Sequence, residues 1–217
     1  MTDPNLTHLY FLLDRSGSMQ SIKGDTEGGF DAFIAEQRTQ PGECRVTLAQ
    51  FDDTYEQVYA DLAVAEVPPL QLHPRGTTAL LDSIGRLIGE AGGRLAALPE
   101  DRRPGVVIVG IMTDGHENAS RELTHPQVKA LIERQTRDYS WQFLYLGADQ
   151  DAIEVGASIG VSAANSMTYG RGRVAEAMAA TSRNIGRTRS AVAAGATPTE
   201  AALHMAFDDE QRVAAAE

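Results

Sequence analysis

The sequence predicts an α/β fold: a central, mostly parallel sheet with one antiparallel edge strand and helices on both faces. Three observations carry this. Apolar runs of strand length alternate with stretches of helical period along most of the chain. The run 105–115 is apolar on both parities, as a strand covered on both faces must be. Two other runs are separated only by Asp53-Thr54, a link short enough for a hairpin.

The elements follow in order. "HLYFLLD" (8–14) reads as a buried strand. "TEGGFDAFIAEQRTQ" (26–40) puts Phe30, Phe33 and Ile34 on one helical face and stops near Pro41-Gly42. "CRVTLAQFD" (44–52) and "YEQVYADLAV" (55–64) form the hairpin, the second strand lying at a sheet edge. "TALLDSIGRLIGEAGGRLAAL" (78–98) has Leu80, Leu81, Ile84, Leu87 and Ile88 at helical spacing. After the central strand, Thr124, Pro126 and Gln127 make a capping-box opening for "HPQVKALIERQTRD". "SWQFLYLGAD" (140–149) is a strand, "DQDAIEVGASIG" a short helix, "SMTY" (166–169) a last short strand. Residues 171–193 carry Val174, Met178, Thr181 and Ile185 near one helical face. The order βαββαβαβα(βα) gives a single domain over residues 1–193, followed by an acidic, Ala-rich tail or loosely docked helix at 194–217.

Bulk properties narrow the function. A net charge of −11 argues against a broad nucleic-acid footprint and against anionic membrane surfaces. Apolar runs fall well short of the roughly 20 residues that span a bilayer. The single cysteine, Cys44, allows no intrachain disulfide and reads as a small strand residue. The start "MTDPNLTH" has no basic region before its apolar run, so a soluble, cytoplasmic protein is expected. The chain has no G-x-x-x-x-G-K-[ST] loop and no G-x-G-x-x-G after a strand.

The chemistry gathers at strand ends. The first strand runs into Asp14-x-Ser16-x-Ser18, "RGTT" places Thr77 and Thr78 before a helix, and the central strand ends in Thr113-Asp114-Gly115. In a parallel sheet these loops emerge at one edge. Alternate residues of an extended stretch project the same way, so Asp14, Ser16 and Ser18 can converge, with Gly17 letting the backbone bend. Two carboxylates with three hydroxyls are hard oxygen ligands suited to Mg²⁺, with Mn²⁺ or Ca²⁺ as alternatives. Two negative charges offset a dication, and neutral hydroxyls leave it electrophilic.

These residues, Asp14-x-Ser16-x-Ser18, Thr78 in "RGTTALLDSIG" and Asp114 in "IMTDGHENAS", resemble the metal-ion-dependent adhesion site of von Willebrand factor type A domains. The resemblance covers about residues 8–160 and is nearest to small stand-alone bacterial proteins of this type. The family's register favours Thr78 over Thr77. The resemblance implies a Rossmann-like fold and a non-enzymatic module. Its metal, held directly or through water by Asp14, Ser16, Ser18, Thr78 and Asp114, takes an Asp or Glu carboxylate from a partner protein.

The rival is a Mg²⁺-dependent phosphatase or phosphotransferase of the haloacid-dehalogenase kind, with Asp14 as nucleophile. Ser16 stands where that family usually has a second Asp, and the only lysines, Lys23 and Lys129, occupy no evident strand-end position. Taken alone, each site residue is an ordinary cap or turn; the set of five is what signals a site. His116 beside the proposed ion reads as a solvated loop residue, and His8, His73, His125 and His204 as surface or cap residues. Asp52 and Asp53, at the end of the second strand, read as turn residues, with a place facing this rim as the alternative. Arg171, Arg173, Arg183, Arg187 and Arg189 read as a solvated helix face, with a docking face for acid as the sharper alternative.

Overall fold

The computed structural model describes residues 2–216. Its sheet has six strands in the order β3-β2-β1-β4-β5-β6. These are β1 (Asp3–Asp14), β2 (Glu43–Phe51), β3 (Tyr55–Ala63), β4 (Pro104–Thr113), β5 (Gln142–Ala148) and β6 (Ser166–Tyr169). All neighbours are parallel except β2 and β3, which pair antiparallel at the edge. The helices are α1 (Lys23–Thr39), α2 (Leu80–Ala97), α3 (His125–Tyr139), α4 (Ala152–Ser158), α5 (Val174–Ala193), α6 (Pro198–Ala202) and α7 (Asp209–Ala216). This is the expected α/β layering, and no helix among the described residues is long and apolar enough to cross a membrane.

Strand parity splits the core in two. Leu9, Phe11 and Leu13 point to the face covered by α1 and α5, whereas Tyr10 and Leu12 point to the face covered by α2 and α3. On the first face Phe11 meets Phe30 and Phe33 of α1 edge-on, with ring centroids 5.2 and 5.0 Å apart. A β-carbon at Gly110 of β4 would stand 2.9 Å from the Phe11 ring, so glycine there makes the room. On the second face Leu80, Leu81, Ile84, Leu87 and Ile88 of α2 are buried, each removal from water stabilising by roughly 1.5–3 kcal/mol. The capping box of α3 forms, Gln127 Oε1 accepting the Thr124 backbone N–H at 2.9 Å.

Three residues depart from the sequence reading. His8 is buried, not a surface residue, and its Nε2 lies 2.9 Å from Thr47 Oγ1 on β2. Burial lowers its pKa to about 4, so the ring is neutral at pH 7. Arg189 is buried rather than solvated: its Nη1 donates to Gln37 Oε1 at 2.9 Å and its Nη2 to the Pro41 carbonyl at 2.8 Å, fastening the end of α1 to α5. Asp52 is wholly buried, whereas Asp53 is exposed. The segment after α5 contributes Met205, Phe207 and Ala215 to the first core face.

Candidate functional site

Parallel pairing aligns the strand ends. Asp14 pairs with Phe51 of β2, and Leu13 with Met112 of β4, so the ends of β2, β1 and β4 stand side by side at one edge. The sequence-predicted oxygens all come to this edge. Asp14 is fully buried; its Oδ1 accepts the Ser16 backbone N–H at 2.6 Å and its Oδ2 accepts Thr113 Oγ1 at 2.5 Å. Ser16 Oγ lies 3.1 Å from Ser18 Oγ, and Ser18 Oγ donates to Asp114 Oδ1 at 2.6 Å. Ser16 and Ser18 therefore link the two carboxylates, through the Ser16 backbone N–H at one end and the Ser18 hydroxyl at the other.

Thr78 is reached from another loop. Its N–H donates to Asn118 Oδ1 at 2.9 Å, and Asn118 returns its own N–H to the Thr78 carbonyl at 3.1 Å. Thr78 is buried and Thr77 is exposed, so of the two threonines it is Thr78 that faces inward. A β-carbon built on Gly115 would sit 3.0 Å from Thr78 Oγ1, 3.6 Å from Asp14 Oδ2 and 3.7 Å from Ser18 Oγ. One small unfilled point is thus surrounded by oxygens of three of the five site residues, and glycine keeps it open.

The electrostatics are unbalanced. Burial, with the Asp114 carboxylate adding to it, pushes Asp14 up to about 6 from 3.8, although its hydrogen bonds pull the other way. Burial also raises Asp114. Asp114 Oδ2 is buried with no hydrogen-bond partner, and so is the Tyr169 hydroxyl. Burial, then the Asp114 and Asp14 carboxylates, raise the Tyr169 pKa. An orphaned carboxylate oxygen and a shared, open point among hard oxygens fit a small dication. Among the described residues no group of three or more His, Cys, Asp or Glu side chains is placed to hold a metal. Any cation at this edge relies on hydroxyls as well as on the two carboxylates.

Several supporting residues were not singled out from sequence. Thr113 holds Asp14 Oδ2 and accepts the Gly115 N–H at 3.1 Å. Glu117 Oε2 accepts the Leu81 N–H at 2.9 Å, and its Oε1 accepts the Ser120 N–H at 2.7 Å, tying the β4–α3 loop to the start of α2. Asp52 is more than a turn residue. Its Oδ1 accepts the Thr54 N–H at 2.8 Å, while its Oδ2 takes Arg15 Nε at 3.0 Å and Arg75 Nε at 2.8 Å. Burial alone would raise its pKa, but Arg75, Thr54 and Arg15 together hold it below the usual carboxylate range. Only the "DD" at the strand end hinted at this. His116 is exposed, as expected of a loop residue.

Solved structures share this architecture. Proximal thread matrix protein 1 from the mussel byssus matches with a TM-score of 0.57 at 16% identity, over 82% of this chain and 46% of its own. A von Willebrand factor type A protein from Catenulispora acidiphila matches with a TM-score of 0.54 at 14% identity, over 92% of this chain and 42% of its own. The vWF domain of the type V pili tip protein Mfa5 from Porphyromonas gingivalis matches with a TM-score of 0.58 at 12% identity, over 82% of this chain and 94% of its own. No protein-family model and no curated protein matches the chain. The fold is that of a von Willebrand factor type A domain, and the chain spans less than half the length of the mussel and Catenulispora proteins.

The cytoplasmic expectation is corrected by these matches, which include proteins of a byssus and of pili, structures outside the cell. A core of this size needs no cross-links to be stable, so a lone cysteine does not report the compartment.

Proposed function

We propose that this is a non-enzymatic, protein-binding module that holds a divalent cation, Mg²⁺ in the first instance, and recognises a partner's Asp or Glu carboxylate through it. Asp14, Ser16, Ser18, Thr78 and Asp114 are its ligands, directly or through water. The observation that carries the reading is the open point beside Gly115, where oxygens from the β1 end and from the loop before α2 converge in the loop that also bears an orphaned Asp114 oxygen. A bound dication supplies a Lewis-acidic vacancy for an outside carboxylate. The protein's own part is to hold the hydroxyls in place and to exclude water behind Asp14.

The lysines favour this over phosphoryl chemistry. Lys23 lies 3.8 Å from Glu27 on α1 and Lys129 lies 4.0 Å from Glu133 on α3, so each is spent on its own helix. The fold's likeness to a pili tip protein and a byssal matrix protein points the same way, toward protein contact.

Titration calorimetry with Mg²⁺ and Mn²⁺ tests the proposal. Wild type should bind one ion, and Asp114→Ala should bind at least tenfold more weakly. Equal heats from the two proteins would refute the assignment.

A further inference from the structure

Two arginines flank the pit formed by the open point beside Gly115 and the oxygens around it, and the way each is held decides what it offers. Arg75 contacts Asp52 Oδ2 through Nε at 2.8 Å, and Arg171 contacts Asp149 Oδ2 through Nε at 2.7 Å. Only the Arg75 contact is also a hydrogen bond, and neither guanidinium makes a second ion pair among the described residues. Their side chains are 63% and 59% exposed. A guanidinium paired through Nε keeps its two Nη groups available, the fork that binds a carboxylate bidentately. Side-chain entropy normally lost by an exposed arginine on binding is already partly removed.

Their placement follows from the strand order. Asp52 follows β2 and Asp149 follows β5, with Asp14 at the end of β1 and Asp114 just after β4 between them. Adjacent strands lie about 4.8 Å apart, so the two anchoring carboxylates are about 14 Å apart with the pit midway. The loop bearing Arg75 is stitched to the pit itself, Arg75 N–H donating to the Arg15 carbonyl at 2.8 Å and Gly17 N–H to the Gly76 carbonyl at 3.3 Å. An extended peptide rises about 3.3 Å per residue, and its residues i and i±2 face the same side. One residue on the pit therefore puts its second neighbours about 7 Å away on either side, opposite the two guanidiniums.

We infer that the partner segment is an extended, acidic stretch with carboxylates at alternate positions, the central one directed to the pit and the outer two to Arg75 and Arg171. This rests on the metal-site reading above and narrows it from any exposed carboxylate to an acid-x-acid-x-acid pattern. In a chain of net charge −11, such a ligand is repelled elsewhere on the surface and selected here.

The test uses the full chain in Mg²⁺ and two fluorescein-labelled peptides in a Gly-Ser background, one with Glu-Ser-Glu-Ser-Glu at its centre and one with a single central Glu. Anisotropy should show at least tenfold tighter binding of the three-acid peptide. Arg75→Gln and Arg171→Gln should each reduce that preference threefold or more, leave single-Glu binding unchanged and leave the calorimetric Mg²⁺ affinity unchanged. The two variants lie on separate loops, so local damage from one does not decide the outcome. Metal binding without a preference between the peptides, or a preference that survives both substitutions, overturns the inference alone. Absence of metal binding by wild type overturns the reading beneath it, and this inference with it.

Discussion

Replacing Asp14 with asparagine should make the metal-free protein more stable. The carboxyl is fully buried, and its folded pKa is raised to about 6 from 3.8, chiefly by burial. Between those values the folded state binds the extra proton, so this group's contribution to stability falls as pH rises through the window and is flat above it. At about 1.4 kcal/mol per unit, an ionised Asp14 costs about 3 kcal/mol at neutral pH when no cation faces it. Asparagine keeps the shape and an acceptor for the Ser16 N–H, and its amide can donate to Thr113 Oγ1. For a chain of this size a gain of about 3 kcal/mol moves Tm by roughly 6–12 °C. Thermal and urea unfolding in EDTA at pH 7.5 should therefore place Asp14→Asn above wild type, with the gap closing near pH 4. Excess Mg²⁺ should raise the wild type and leave the variant where it was. A variant less stable than wild type in EDTA, or a gap of the same size at pH 4 and 7.5, would refute the idea that Asp14 is an uncompensated buried charge.

Gly115→Ala should fill the open point and weaken Mg²⁺ binding at least tenfold by calorimetry while the unfolding free energy in EDTA stays within about 1 kcal/mol of wild type, since the three atoms nearest the new methyl are site oxygens at 3.0 Å or more. His8, neutral in the fold with a pKa of about 4 against 6.5, should subtract up to about 3 kcal/mol as pH falls through that window. In EDTA the opposite slope from Asp14 offsets it, so urea midpoints at pH 7 and 4.5 should differ more in Mg²⁺ than in EDTA. Arg189→Ala should cost about 2–4 kcal/mol in urea unfolding, because the carbonyls at the end of α1 lose their buried donor, and should leave the Mg²⁺ response unchanged.

What could be read from the sequence is what local pattern encodes. The central strand announces itself because both of its faces are buried, and β6 was expected at its observed bounds because its apolar pair stands between turn residues. The order of these strands brings Asp14, Ser16, Ser18 and Asp114 to one edge, and the loop before α2 adds Thr78. The start of β1 was missed because Asp3 to Leu6 look like a polar leader; they become strand only by pairing with Pro104 and Glu43. His8 and Arg189 were misplaced for the same reason. The partners that make their burial tolerable, Thr47 and the end of α1, are 39 and about 150 residues away along the chain. No window of sequence shows a polar side chain its distant partner.

The loops that carry the two carboxylates are tied to their neighbours by side-chain and backbone hydrogen bonds. Glu117 ties the loop after β4 to α2, and Asp82 of α2 answers by accepting the Arg121 N–H at 2.7 Å and the Leu123 N–H at 2.8 Å from that loop. Asn118 adds a reciprocal pair with Thr78. The loop of Thr78 is thus held from both sides: Asn118 and Glu117 tie it to the loop of Asp114, while Gly76 and Arg75, just before Thr78, tie it to the loop of Ser16 and Ser18, Gly17 N–H donating to the Gly76 carbonyl and Arg75 N–H to the Arg15 carbonyl. The Ala79 N–H donates to the Asp52 carbonyl at 2.8 Å, so the same loop is also fixed to the end of β2. The hydroxyls of Ser18 and Thr113 close the circuit, at 2.6 and 2.5 Å to Asp114 and Asp14. All the loops of the pit therefore share hydrogen bonds, and a displacement of one is felt by the others.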